Sequence, residues 1–211
     1  MSIPSFDLFM MCSSLIPSAI QEVPQGFHVR TCRKDELDVW KTIHFDDPET
    51  ARNYGEFMTN YFHDVYAQEG ELFFDKCLFI CNDEDAPVGT CFIWKAYGQI
   101  NTLHWLKVLK SSEGKGLGRA LISEVMKELG EEDYPVYLHT HPSSYRAIKL
   151  YSDFGFALLS DPVIGSRKND LEESLPILQD HMPAEDYKNL QICQAPEEFL
   201  EAVRSSAINQ F

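Results

Sequence analysis

Gly114, Gly116 and Gly118 alternate with Lys115 and Leu117 where an extended apolar run gives way to an amphipathic one. Small residues let the backbone approach a ligand, and a helix starting there leaves its first N–H groups unpaired, which favours an anion. A dinucleotide fingerprint would need a glycine where Arg119 stands, and no P-loop string occurs. Two readings remain: a loop whose closely spaced amides hold a pyrophosphate, and glycines that only make a tight turn. In the preceding extended run Thr102 and His104, two apart, share one strand face. An imidazole with its ordinary pKa of about 6.5 suits a base acting through water, and the alternative is a structural histidine. His139 and His141 flank Thr140; no third ligand is evident from the sequence, so an acceptor-pocket or turn-capping role is expected rather than a metal site. Cys77 and Cys81 can share a strand face, but no second pair completes a zinc site.

Charge sorts the partners. The chain carries 18 basic and 33 acidic side chains, a net charge of −15, which repels polyphosphate at long range and disfavours nucleic acid. Between residues 101 and 150 the local net is +1, against −16 for the rest, consistent with an anionic cofactor at the glycine loop. No run approaches the roughly 20 apolar residues of a membrane span, so no membrane partner is expected. The first basic residue is Arg30, unlike an export signal. Six cysteines scattered through apolar runs read as free thiols in a reducing cytoplasm.

The elements that must position these residues follow from periodicity. Residues 1–26 hold three prolines and mixed polarity and are expected to form an irregular extension packed on the surface. A short strand over 27–33 leads into a helical stretch through Val39, Trp40 and Ile43. After Pro48 comes an aromatic stripe, Tyr54, Phe57, Met58, Tyr61, Phe62, Val65 and Tyr66, at spacings of three and four. Its spacing predicts a helix packed on the core, the alternative being a wall facing substrate. Strands are expected at about 76–82, 88–96 and 102–109, the first two forming a hairpin. Leu117, Leu121, Val125 and Leu129 mark a helix ended by Gly130. A strand over 136–140, a helix capped by Ser143 and stopped by Gly155, and a strand over 156–159 complete a mixed α/β sheet. The tail carries helices near Leu171–Leu178 and after Pro196, with a short strand near Leu190–Cys193.

Two segments carry a resemblance. Glu113-Gly114-Lys115-Gly116-Leu117-Gly118-Arg119-Ala120-Leu121 resembles the acetyl-CoA loop of the GNAT superfamily of N-acetyltransferases, whose pattern is Gln or Arg, two residues, Gly, one residue, then Gly or Ala. Ser144-Tyr145-Arg146-Ala147-Ile148-Lys149-Leu150-Tyr151-Ser152-Asp153-Phe154-Gly155-Phe156 is similar to the family's downstream helix. The resemblance covers about Phe27 to Leu159. It departs from the pattern at Glu113, where Gln or Arg is usual, and at Ser144, where Asn is usual.

The resemblance implies an α/β (α+β) fold: a mixed, mostly antiparallel sheet with a splayed central parallel strand pair, flanked by helices on both faces. Residues 27–169 would form the N-acetyltransferase core, 1–26 an N-terminal extension and 170–211 a C-terminal extension of the same domain. Acetyl-CoA would be held by a bulged strand at Leu106, Lys107 and Val108, by Gly114, Lys115, Gly116, Leu117, Gly118 and Arg119, and by Ser144 and Ala147. Tyr151 would be the general acid, since a phenol of pKa about 10 can protonate a thiolate whose conjugate acid is near 8.5; the alternative is a packing role. His104 matches the strand position where some members place a base. The implied reaction moves acetyl from acetyl-CoA to a primary amine of a small molecule or peptide by direct attack in a ternary complex, in a monomer or a homodimer. Two other readings stay open: a non-catalytic acyl-CoA sensor or partner-binding module, and a nucleotide-binding kinase-like protein.

Overall fold

The computed structural model describes residues 3–205 and 209–211. In chain order its elements are β1 (Leu8–Cys12), β2 (Phe27–Thr31), α1 (Leu37–Ile43), α2 (Pro48–Asn53), α3 (Gly55–Tyr61) and α4 (Leu72–Lys76). Then come β3 (Leu78–Asn82), β4 (Pro87–Ala96), β5 (Ile100–Val108), α5 (Leu117–Met126), β6 (Val136–Thr140), α6 (Tyr145–Asp153) and β7 (Phe156–Leu159). The tail contributes β8 (Val163–Ile164), β9 (Arg167–Lys168), α7 (Leu171–His181), α8 (Ala184–Lys188), β10 (Ile192–Cys193) and α9 (Glu197–Arg204). The mixed α/β architecture is the one that the periodicities predict and the mostly antiparallel sheet the one that the resemblance implies, but several local readings differ. The Ser143 cap is displaced: Ser143 lies in a 3-10 turn over Pro142–Ser144, and the N-cap of α6 falls on Ser144, which makes no side-chain cap bond. The helix after Pro48 is broken into α2, α3 and a π turn over Phe62–Tyr66.

Two compact units divide the chain. The first comprises the segment up to Ala19, Lys95–Thr102 and Leu129–Phe211. Its strand order is β10-β7-β1-β6-β5. The N-terminal run expected to be irregular instead supplies β1, which pairs antiparallel with both β6 (Leu8↔Thr140 to Cys12↔Val136) and β7 (Met10↔Leu158). All five β1 residues are buried. LFMMC has no polar position to turn outward, as a strand covered on both faces requires. The parallel β5–β6 register is confined to Asn101↔Val136 and Thr102↔Tyr137. Phe9, Met11, Tyr137, Leu159, Phe199 and Val203 form this unit's core, with the Tyr137 and Phe199 rings stacked 3.9 Å apart.

The second unit comprises Ile20–Trp94 and Leu103–Glu128, with strand order β5-β4-β3-β2. Strand alternation assigns its two faces. Phe79 and Cys81 join Trp40, Met58, Tyr66, Phe73 and Phe92 beneath the early helices. Ile80 points the other way: its Cγ2 and the Leu121 Cδ1 of α5 both lie against Gly89. Helices therefore cover both faces here. Gly89 in β4 has no room for a side chain, because a Cβ there would sit 2.7 Å from the Lys107 carbonyl oxygen of β5.

Candidate functional site

In the second unit the end of β5, the loop after it and the start of α5 form one continuous stretch. Within strand β5, Trp105 has a φ of 54°, which places it in the left-handed region. Burial fails to alternate there, with Thr102, Leu103 and His104 all buried. One residue turned out of the pleat is the signature of a bulge. The bulge was expected at Leu106 to Val108; the positive φ lies one residue earlier, at Trp105, and those three residues continue as half-buried strand. A left-handed tryptophan is strained, and its partners show what holds it. The Trp105 indole lies 4.5 Å from the His44 ring and 5.4 Å from the Tyr61 ring, and its Nε1 donates to the Tyr66 hydroxyl at 2.9 Å.

The same hydroxyl lies 2.6 Å from His104 Nδ1. His104 is buried, its Nε2 has no hydrogen-bond partner among the described residues, and burial pulls its pKa down to about 3. A base titrating near 6.5 is therefore not what the fold presents; the imidazole is neutral, enclosed and fixed through Tyr66. Burial likewise pulls the neighbouring His44 down to about 3, with the Lys107 charge adding to it. Thr102 is buried as well, but it belongs to the first unit.

The aromatic stripe divides. Met58, Val65 and Tyr66 are core, as the helical spacing predicts, whereas Tyr54 and Phe57 are exposed. They lie in a row of rings running Phe45, Tyr54, Phe57 and Tyr61. A π turn carries one extra residue per turn and re-aims its side chains; here it ends on Tyr66.

Asp46, which the sequence reading did not single out, organises the strand end. Its carboxylate accepts from Lys107 Nζ at 2.6 Å and from the Lys110 amide at 2.9 Å. Burial opposes its ionisation, but these two bonds outweigh it and hold the carboxyl below its ordinary pKa. The Lys107 charge is thus paired with Asp46. Asp46 also lines a cavity of about 700 Å³ with Lys41, Phe45, Arg52, Pro87 and Leu109.

Beyond a short 3-10 turn over Lys110–Ser112, Gly114 and Gly116 adopt φ of 77° and 80°. Gly116 is the N-cap of α5 and offers no side chain to the first turn. The amides of Leu117, Gly118 and Arg119 therefore begin the helix without a side-chain cap, as an anion cradle requires. Lys115 lies with its Nζ 5.6 Å from the centre of the Phe27 ring. The residues fit a diphosphate: positive-φ glycines, an uncapped helix of ten residues and a strand end whose own carboxylate is already paired.

In the first unit Tyr151 lies on α6, buried at 6% exposure, its ring 5.9 Å from Phe156. Ser144 and Ala147 are half-buried at the start of the same helix. His139 and His141 find the third polar group that the sequence did not reveal: Asp7 Oδ1 lies 2.7 Å from His139 Nε2 and 3.8 Å from His141 Nδ1. The His141 ring also bonds the Phe6 carbonyl, donating from Nδ1 at 2.9 Å. Burial brings His139 down to about 4 even though the Asp7 bond works against it. The site residues expected from sequence thus fall in both units: Tyr151, Ser144 and Ala147 in the first, His104, Leu106 to Val108 and Gly114 to Arg119 in the second.

Residues 38–156 match the model of the acetyltransferase (GNAT) family. No curated protein matches the chain. Among solved structures, a GNAT-family acetyltransferase from Colwellia psychrerythraea aligns at 13% identity and a TM-score of 0.51, over 75% of this chain and 54% of that one. A tandem GNAT protein from the clavulanic acid biosynthesis pathway aligns at 14% identity and a TM-score of 0.51, over 74% of this chain and 50% of that one. This chain therefore spans about half the length of those structures, and at such identities the likeness concerns the fold. With more than half of its residues matched by the family model, the chain belongs to the acetyltransferase (GNAT) family.

Proposed function

We propose that this protein is an N-acetyltransferase that uses acetyl-CoA to acetylate a primary amine of a small molecule or peptide. The observation that carries this reading is the uncapped start of α5 at Gly116, following a bulged strand and two positive-φ glycines. Bound acetyl-CoA supplies a thioester carbonyl for attack by the amine. The loop from Gly114 to Arg119 directs main-chain N–H groups at the diphosphate, and Leu106, Lys107 and Val108 offer backbone groups to the pantetheine arm. Ser144 and Ala147 are assigned to the cofactor on their register in the family's downstream helix.

Amine nitrogen bonds to the carbonyl carbon, the carbon–sulfur bond breaks, and Tyr151 gives its phenolic proton to the departing sulfur. The proton lost by the amine goes to solvent water. With its pKa near 3, His104 is a positioning group for the bulge and not the proton acceptor. The acidic surplus favours a cationic acceptor. No described helix is long and apolar enough to cross a membrane. The cytoplasmic assignment rests on the six cysteines, which are free thiols. A homodimer is compatible with the family.

Thiol release measured from acetyl-CoA across a broad amine panel tests the reading. Turnover in wild type that Tyr151→Phe lowers without loss of coenzyme A binding is the expected result. Coenzyme A binding with no turnover on any amine would favour the acyl-CoA sensor, to which the Glu113 and Ser144 departures point.

A further inference from the structure

The loop holds one residue that the family pattern does not supply. Where that pattern has Gln or Arg this chain has Glu113, a carboxylate that cannot donate to phosphate when ionised. An amide arrives at the loop from elsewhere. Gln21, nearly a hundred positions upstream, donates its backbone N–H to Ser123 Oγ of α5 at 2.9 Å. Its side chain is directed at the other end of that helix: a Cβ on Gly116 would meet Gln21 Nε2 at 2.8 Å. The amide therefore lies against the glycine that caps the helix. Among the described residues it has no hydrogen-bond partner, although its backbone is tied down. Phe27, six residues on, holds Lys115 of the same loop. The segment from Gln21 to Phe27 thus flanks the glycine loop at two points, both within the second unit.

We infer that Gln21 is a binding residue for the coenzyme A diphosphate, supplying from the N-terminal segment the amide donor that Glu113 cannot. The inference rests on the reading of the glycine loop given above. A primary amide has two N–H donors and no charge, so it can donate to a diphosphate oxygen while adding no repulsion. Gly116 then has two duties: to adopt positive φ and to leave room for this amide.

Coenzyme A binding to the full chain, measured by calorimetry for wild type, Gln21→Ala and Gln21→Glu, tests it. A hydrogen bond to a charged acceptor is worth about 1.5–3 kcal/mol, so Gln21→Ala is expected to weaken binding at least about tenfold, since tenfold corresponds to about 1.4 kcal/mol. Gln21→Glu should weaken it further, because a carboxylate would face the diphosphate. Unliganded melting temperatures near that of wild type will show that the variants fold, the main-chain bond to Ser123 being retained. Equal or tighter binding by Gln21→Ala, as expected of a plug displaced by the ligand, overturns this inference and leaves the loop assignment standing. A wild type that binds no coenzyme A overturns both.

Discussion

Tyr66→Phe removes a single oxygen from the core of the second unit and tests how the bulge is held. Among the described residues the hydroxyl is the only hydrogen-bond partner of His104 Nδ1, and it accepts from Trp105 Nε1. The ring itself stays packed among Trp40, Phe73, Phe92 and Trp94, so hydrophobic burial is unchanged and the loss is polar. Leaving the buried His104 nitrogen unsatisfied costs about 1–3 kcal/mol, and the lost Trp105 bond about 0.5–1.5 kcal/mol. The total is roughly 2–4 kcal/mol. For a chain of this length each kcal/mol shifts the melting temperature by about 2–4 °C, so calorimetry should record a fall of about 5–15 °C. A second reading separates the two bonds: His104→Leu combined with Tyr66→Phe should cost less than the sum of the single changes, because the two groups are direct partners. A fall under about 1 °C for Tyr66→Phe, or strict additivity in the cycle, would refute the hydrogen-bonded chain from Trp105 through Tyr66 to His104.

Three other outcomes follow from the same physics. Gly89→Ala sets a Cβ 2.7 Å from the Lys107 carbonyl oxygen, and because that neighbour is backbone, a loss of about 1–3 kcal/mol is expected in chemical denaturation; a neutral result would show that β4 and β5 can part without cost. Phe199→Ala empties the stack on Tyr137 in the first unit and should cost about 3–5 kcal/mol by the same measurement. Stability should also fall on acidification. Burial depresses the folded pKa of His44 and His104 to about 3 and of His139 to about 4, below the unfolded value of about 6.5. Between those limits the unfolded chain binds more protons, so stability rises with pH across that window and levels off above about pH 6.5. Each histidine contributes at most about 1.4 kcal/mol per pH unit. Denaturant midpoints that do not move between pH 7 and pH 5 would contradict the buried, neutral state of these rings.

Local periodicity made much of the fold legible. The spacing of Leu117, Leu121 and Val125 marks α5, and the runs at 136–140 and 156–159 match β6 and β7 to the residue. The glycine loop was legible too, because positive φ demands a residue type that can be read directly. What escaped depends on where the chain returns. LFMMC at Leu8–Cys12 is apolar in sequence, yet only the pairing of β1 with β6 and β7, more than 120 residues away, makes it a buried strand. Asp46 sits beside its own α2 in sequence but bonds Lys107 and Lys110. His104 looked like a titrating base because residue type gives only the ordinary pKa, whereas the surrounding rings set the actual one.

The amino-acid order alone determined the alternation of elements, the glycine turn and the family motifs, since each is a pattern within a few turns of chain. Tertiary structure decided that His104 is neutral, that Trp105 is turned out of the pleat, that Asp7 joins His139, and that Gln21 reaches Gly116. Burial and long-range contact set those properties, and neither is encoded in any short window of sequence.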